Sequence, residues 1–351
     1  MPILVEYKRG LKICRTTDNL IFLADPISAK GARGSQSVFI THAHTDHSMA
    51  FPNSGTKIYS SKLTNDIYHA LTGKIPKNVQ FLDINKTEKI RGVDVQFLLA
   101  GHLLGASQTL FYFDEKTILY TGDISTDKMI TVSQAIVPEG DIDTLIIEST
   151  YGTPNIFFEP RSTIKFSLLK WIMDNLQKKR VPVINIGYSG PAQEIMAFLN
   201  EMLSVDIYCN DRVSKVNEIY KREGVSINWY NYDQLGEEPF RPENSIVLLP
   251  RSAKKTPSFL EEHRIARGIL TGQAARFAYR KFDQTFPFSM HANSQELVNY
   301  VEKIKPKKVY TLYGFDSELA ALIRHKLKIP SRPLKLAEKK PTLDDYLNES
   351  K

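Results

Sequence analysis

His42, His44, Asp46 and His47 fall within six consecutive positions of the stretch Thr41-His-Ala-His-Thr-Asp-His47. Neutral imidazoles and a carboxylate are the ligands that borderline divalent ions such as zinc prefer. Any one of these residues alone would pass for a polar loop residue. Four of them, packed this closely behind an apolar run, point to a metal site. The preceding Val38, Phe39, Ile40 and Thr41 are β-branched or aromatic and predict a buried strand. At its end His42 and His44, two apart, can converge on one ion. If the chain turns into a helix there, Asp46 and His47 lean towards a second. The expected centre is binuclear.

Three more strand-like runs finish on ligand-type residues. Leu23-Ala-Asp25 ends one, Ala100-Gly-His102 another and Tyr120-Thr-Gly-Asp123 a third. A glycine before His102 and before Asp123 lets the backbone pass close to an ion. Singly each reads as a turn or cap; beside the histidine cluster they supply a third histidine and a bridging carboxylate.

The elements that would position these residues change character along the chain. Up to about residue 150, short strand patterns dominate, broken by one helix over 63–71, and Asp114-Glu-Lys116 reads as a hairpin turn. After Glu148-Ser-Thr-Tyr-Gly152, strands and helices alternate, which predicts an open parallel sheet with covering helices. The expected divisions are 1–155 for a first strand-rich part, 156–283 for an inserted α/β lobe and 284–332 for a return segment. That segment holds an amphipathic helix over 294–304, a strand and a last helix. From Pro333 the chain is polar and charged, so 333–351 reads as an exposed tail.

At 351 residues, 42% of them hydrophobic, the chain has no apolar run approaching a membrane span, and its start lacks the pattern of a signal peptide. Cys14 and Cys209 are its two cysteines, too far apart for a disulfide framework or a zinc ribbon. A cytoplasmic protein without membrane contact is expected. Of the formal net charge of +7, a net +6 sits between Arg251 and Lys281. Arg251, Lys254, Lys255, Arg264, Arg267, Arg276, Arg280 and Lys281 there face only Glu261 and Glu262, with Phe259, Phe277, Tyr279 and Phe282 interleaved. Such a run reads as a phosphate-tracking surface with stacking rings, or more plainly as a solvated face over a small core.

Together these motifs resemble the metallo-β-lactamase fold, and the inserted lobe, Glu148-Ser-Thr-Tyr-Gly and Ser289-Met-His291-Ala resemble its β-CASP branch of DNA and RNA nucleases. The resemblance covers nearly the whole chain except the tail. It implies a four-layer αββα domain carrying an inserted β-CASP α/β domain. It further implies that His42, His44 and His102 hold one divalent ion and Asp46 and His47 a second, with Asp123 bridging; zinc is expected, manganese the alternative. Asp25 would fix a ligand imidazole, Glu148 would support the site, and His291 would protonate the leaving oxygen or neutralise the scissile phosphate. RNA-processing members carry a further metal-binding histidine where Tyr313 stands in Thr311-Leu-Tyr-Gly314. Cross-link repair nucleases acting on DNA lack it too. Tyr313 therefore tilts the expected substrate to DNA and leaves occupancy of the second metal position open. Gly268-Ile-Leu-Thr-Gly-Gln and Phe288-Ser-Met-His-Ala-Asn293 are similar to the closing segment of ligase-associated DNA exonucleases, although Met290 and Asn293 stand where that group has acids.

The expectation is a metal-dependent DNA exonuclease of repair or replication, acting on single strands or ends. The alternatives are a β-CASP ribonuclease and a catalytically silent nucleic-acid scaffold. The tail Lys340-Pro-Thr-Leu343-Asp-Asp-Tyr346-Leu347 resembles a sliding-clamp binding peptide that lacks its Gln, with Leu343, Tyr346 and Leu347 as the clamp contacts. Deleting residues 341–351 should abolish binding to a sliding clamp in a pull-down and leave cleavage of short oligonucleotides intact. Clamp binding by the truncated chain would exclude this role for the tail.

Overall fold

Alternation along the strands sorts their side chains between two cores. In strand Ser107–Phe113, Phe111 and Phe113 point into one apolar cluster and Leu110 into another; in Lys116–Tyr120, Ile118 and Tyr120 oppose Leu119 in the same way. That period of two is the pleat of a sheet buried on both faces. In this computed structural model, residues 3–32, 34–52, 55–235, 240–253 and 255–334 are described. Lys254 and the tail residues Leu343, Tyr346 and Leu347 lie outside them.

Two sheets face each other. The first runs Ile3–Tyr7, Leu11–Arg15, Leu20–Ala24, Ser37–Phe39, Ile58–Ser60 and Val79–Phe81. The second runs Ser331–Pro333, Lys308–Leu312, Thr144–Glu148, Lys116–Tyr120, Ser107–Phe113, Val93–Leu99 and Thr87–Ile90. Between them Phe22, Phe39, Phe111 and Phe113 interlock, with Phe39 edge-on to Phe111 at 5.0 Å between ring centroids. The outer faces carry helices: Ile67 and Tyr68 of helix Lys62–Thr72 share a cluster with Val38 and Ile58, and Leu297 and Val301 of helix Ser294–Ile304 share it with Leu145 and Ile147. The result is the expected four-layer αββα arrangement.

Strand Thr144–Glu148 pairs in parallel with Lys308–Leu312, and between them, ahead of helix Ser294–Ile304, the chain builds an inserted lobe. Its core is a third sheet in the order Tyr230–Asn231, Asp206–Cys209, Ser245–Pro250, Val181–Ile186, Ile265–Leu270 and Gln284–Phe286, paired in parallel throughout. Helices Arg161–Gln177, Pro191–Met202 and Asp211–Arg222 accompany it. Among the described residues no helix is long and apolar enough to cross a membrane.

Three expectations shift. Gln284–Phe286 pairs with Ile265–Leu270, so the inserted sheet extends past residue 283. Ser331–Pro333 is an edge strand followed by the buried Leu334, so ordered structure continues beyond the predicted start of the tail. The basic run is not one continuous surface either. Strand Ile265–Leu270 passes through its middle, and Phe259, read as a stacking ring, packs against Tyr232 and Phe240 at 5.7 and 5.0 Å in a small core.

The turns that deliver the ligand-type residues are tight. Gly101, just ahead of His102, has φ +73°, and a Cβ there would fall 2.4 Å from the Ser125 carbonyl oxygen and 2.6 Å from the Ala135 nitrogen. Gly101→Ala should therefore cost more than the roughly 1–3 kcal/mol of a strained backbone alone. Urea unfolding checks this, and a midpoint unchanged from the parent would show that the turn relaxes freely.

Candidate metal centre

Ligand-type residues follow strand after strand at the edge where the two facing sheets meet the insertion. Asp25 follows Leu20–Ala24, His42 follows Ser37–Phe39, His102 follows Val93–Leu99 and Asp123 follows Lys116–Tyr120; Glu148 ends its own strand. His291 arrives just before helix Ser294–Ile304. Sequence patterning marked the strand ends at Asp25, His42, His102 and Asp123, and the resemblance added Glu148 and His291; the fold brings them together from positions up to 266 residues apart in the chain (25 to 291).

Asp123 is the point of convergence. Its Oδ2 lies 3.5 Å from His42 Nε2, 3.5 Å from His47 Nε2, 3.8 Å from His102 Nε2 and 3.9 Å from His291 Nδ1. One ligand atom each from His42, His44, His102 and Asp123 lie within 4.8 Å of one another, and the same holds for Asp123, Glu148 and His291. His42 is fully buried, with Nδ1 3.0 Å from Thr41 Oγ1 and Nε2 left without a hydrogen-bond partner among the described residues. A buried imidazole nitrogen aimed at a buried carboxylate, neither hydrogen bonded to the other, fits a cation between them.

The electrostatics agree with that fit. Burial, then the neighbouring imidazoles, hold His42 and His102 well below the usual histidine range, and burial carries His44 to about 4. All three are neutral and offer lone pairs. Burial also lifts Asp123 to about 6. For His47 burial works downwards, but Asp123 and Asp25 outweigh it and raise the group to about 10. The carboxylates that keep a proton on His47 supply the negative charge that a bound cation would neutralise instead.

The residues read as a second ion's ligands are arranged more loosely. His47 Nε2 is 3.9 Å from Asp46 Oδ2, but the Asp46 side chain is 82% exposed. Among the described residues, Asp46, His47 and Asp123 do not close into a group as tight as the first. Asp25 anchors His47 firmly: its Oδ2 lies 2.8 Å from His47 Nδ1, and it accepts from the Thr41 amide at 2.8 Å, the Thr41 hydroxyl at 2.6 Å and the Tyr120 hydroxyl at 2.9 Å. Because Tyr120 gives its proton to Asp25, it accepts from Tyr313, 3.1 Å away. The Tyr313 ring also packs against His47, 5.4 Å between centroids. Tyr120 carried no signal in the sequence beyond its place in a strand.

His291 Nδ1 lies 2.9 Å from Glu148 Oε2, and the Ile124 amide donates to Glu148 Oε1 at 2.7 Å. Burial would push His291 down, but Glu148 and Asp123 outweigh it and hold it at about 9; His291 in turn outweighs the effect of burial on Glu148 and keeps that carboxyl below its usual range.

A cleft of about 630 Å³ opens over this centre, with His44, Asp46 and His291 on one side and Tyr188, Arg251 and Thr271 of the insertion on the other. Of the basic residues expected to contact nucleic acid, Arg251 lines the cleft and donates to Thr271 Oγ1 at 3.2 Å. Arg276 does not line it; its guanidinium lies 4.7 Å from the ring centre of Phe315 and 5.0 Å from that of Phe277. Lys255, Arg280 and Lys281 are exposed but do not line it.

No family model matches the chain. It is 28% identical over 299 residues to a probable DNA ligase of Opitutus terrae, covering 82% of this chain and 28% of the ligase. It is 27% identical over 369 residues to an RNase J-like protein of Methanocaldococcus jannaschii, covering 84% and 86% of the two chains. Other relatives carry ribonuclease or transcription-termination names. The chain thus spans little more than a quarter of the ligase but most of the archaeal protein. A crystal structure of a protein of unknown function from Enterococcus faecalis V583 shares the fold, with TM-score 0.59 and 13% identity over 88% of this chain and 92% of that one. Motifs, architecture and relatives all point to the β-CASP nucleases of the metallo-β-lactamase fold.

If the centre binds metal as this geometry suggests, His42→Ala should leave the purified protein with less than half its parent metal content after dialysis. Asp25→Asn, which loosens the support of His47, should weaken binding by about 10–100-fold. Elemental analysis with chelator competition measures both; parent metal content in His42→Ala would rule the centre out.

Proposed function

We propose that this chain is a metal-dependent phosphodiesterase that hydrolyses DNA as a single strand or at an end. The observation carrying the reading is the Asp123 carboxylate ringed at 3.5–3.9 Å by four imidazoles on the floor of a cleft that the insertion roofs. His42, His44, His102 and Asp123 would hold one divalent ion; His47 and Asp46, with Asp123 shared, would hold a second. Zinc suits this nitrogen-rich set, and manganese is the alternative. When bound, the ions supply a water acidic enough to attack at neutral pH and positive charge against the phosphate oxygens.

The chain's own residues do the rest. Glu148 fixes His291 through Nδ1, which turns Nε2 towards the cleft as a proton donor for the departing oxygen or a positive partner for the phosphate. Arg251 and Arg276 offer charge to the backbone of a strand entering between the lobes, and Phe277, with its ring exposed, offers a face for a base. The first motif keeps all four of its ligand-type residues, His42, His44, Asp46 and His47, which speaks against a silent scaffold.

The DNA reading leans on Tyr313, a phenol bound to Tyr120 where the resemblance puts a metal-binding histidine in RNA-processing members. The ribonuclease names among the relatives favour the second reading, the same chemistry on RNA. Matched single-stranded DNA and RNA of one sequence, labelled at either end, separate the two. We expect DNA to be degraded and His44→Ala to lower the rate by at least about 10³-fold. Cleavage of RNA alone would move the substrate to RNA; full cleavage by His44→Ala would remove the metal centre from the reaction.

A further inference from the structure

The cleft, the surface charges and the buried ion pairs outside the centre lead to one guanidinium that the proposed reaction has not used. Arg161 opens helix Arg161–Gln177, the first helix of the insertion, and its side chain is 14% exposed. Every one of its N–H groups has a partner. Nε donates to the Ser289 carbonyl at 3.0 Å and Nη2 to the His291 carbonyl at 2.7 Å. Both terminal nitrogens donate to Glu296, at 2.8 and 3.2 Å, and Nη1 also reaches Asp127. Glu296 itself completes the cap of helix Ser294–Ile304 by accepting from the Asn293 amide at 2.8 Å.

The two carbonyls that Arg161 holds flank Met290, whose own carbonyl turns the other way, 3.3 Å from His102 Nδ1. The His291 amide donates to Ser289 Oγ at 3.0 Å and the Ala292 amide to the Ile124 carbonyl at 2.8 Å. Segment 289–292 is therefore gripped from both sides, by the metal-binding lobe on one and by an arginine of the insertion on the other. A planar fork that bonds two carbonyls and a carboxylate together fixes direction as well as distance, which a lysine cannot do.

We infer that Arg161 is the positioning residue for His291: it couples the seating of the insertion to the aim of the histidine at the scissile phosphate. This rests on the proposed phosphodiesterase reading, in which His291 faces the substrate. Loss of the fork lets the segment drift while the carboxylate-bound side chain remains, and a misplacement of about 1 Å costs on the order of 100-fold in rate.

The test compares the parent with Arg161→Lys and Arg161→Ala in the full chain loaded with manganese. Steady-state cleavage of a labelled oligonucleotide is measured beside hydrogen–deuterium exchange of peptides across 288–296. Arg161→Lys keeps a charge for Glu296 and Asp127, so it stands in if Arg161→Ala fails to fold. The inference predicts that kcat falls roughly 10–100-fold with KM and bound metal within about twofold of the parent. Exchange in 288–296 should speed up while the sheet strands hold their protection. Low millimolar guanidinium ion should restore part of the rate of Arg161→Ala. Unchanged kcat, or exchange in 288–296 no faster than in the parent, overturns it. A parent that cleaves neither DNA nor RNA would refute the phosphodiesterase reading instead, and the exchange arm alone would then decide whether Arg161 holds the segment.

Discussion

Three carboxylates, those of Asp25, Asp123 and Glu148, are almost wholly removed from water at one edge of the molecule. Burying charge of one sign is costly unless each group is answered, and the fold answers two of them itself. Asp25 receives an amide, two hydroxyls and a histidine; Glu148 receives an amide and a histidine. Asp123 has only imidazole nitrogens at 3.5 Å and beyond, and accepts no hydrogen bond among the described residues. A carboxylate left without a hydrogen bond, beside the neutral lone pairs of His42, His44 and His102, is the condition a divalent cation satisfies. The strands, their glycine turns and the returning segment leave this one group answered only by charge, from His47 and His291, and by no hydrogen bond among the described residues.

The same constraint explains which parts of the site could be read from the sequence. Metal ligation needs particular side chains, and His42, His44, Asp46 and His47 crowd them into one motif, while Asp25, His102 and Asp123 each sit where an apolar run stops. Helix Ser294–Ile304 was readable because its apolar spacing and the cap formed by Asn293 and Glu296 agree. Residues that act through shape and direction left no such mark. Tyr120 is one more aromatic in a strand, and Arg161 lies 130 residues from the carbonyl of His291 that it holds. The basic run misled for a related reason. Composition records that Arg267 and Phe259 are neighbours of other cations, but only packing tells that Phe259 faces a core and that a strand divides the run.

Topology gives the insertion its place. The insertion leaves at the Glu148 end of its strand and comes back to that end, where Tyr151 bridges to Asn293, before helix Ser294–Ile304 crosses to the other end to start the parallel strand at Lys308. Ligand-type residues gather at the Glu148 end because the strands carrying Asp123 and Glu148 run the same way. The inserted lobe therefore arrives over the centre by connectivity, before any specific contact forms. Contacts then refine it: the Ser189 carbonyl approaches His44 at 3.4 Å, Glu194 takes the amides of Ile130 and Thr131, and Arg161 holds the segment of His291.

Two supports thus reach the centre from opposite sides. From the sheets, a hydrogen-bonded series runs from Tyr313 through Tyr120 and Asp25 to His47. From the insertion, Arg161 reaches the backbone on either side of Met290. The first fixes an imidazole by its ring nitrogen, within a rigid double sheet. The second fixes one by its backbone and depends on how the inserted lobe sits. Groups that must hold an ion at constant geometry belong to the first kind of support. In the proposed reaction, a group meeting a substrate between two lobes would gain from the second, because the lobe that roofs the cleft would also set the aim of His291.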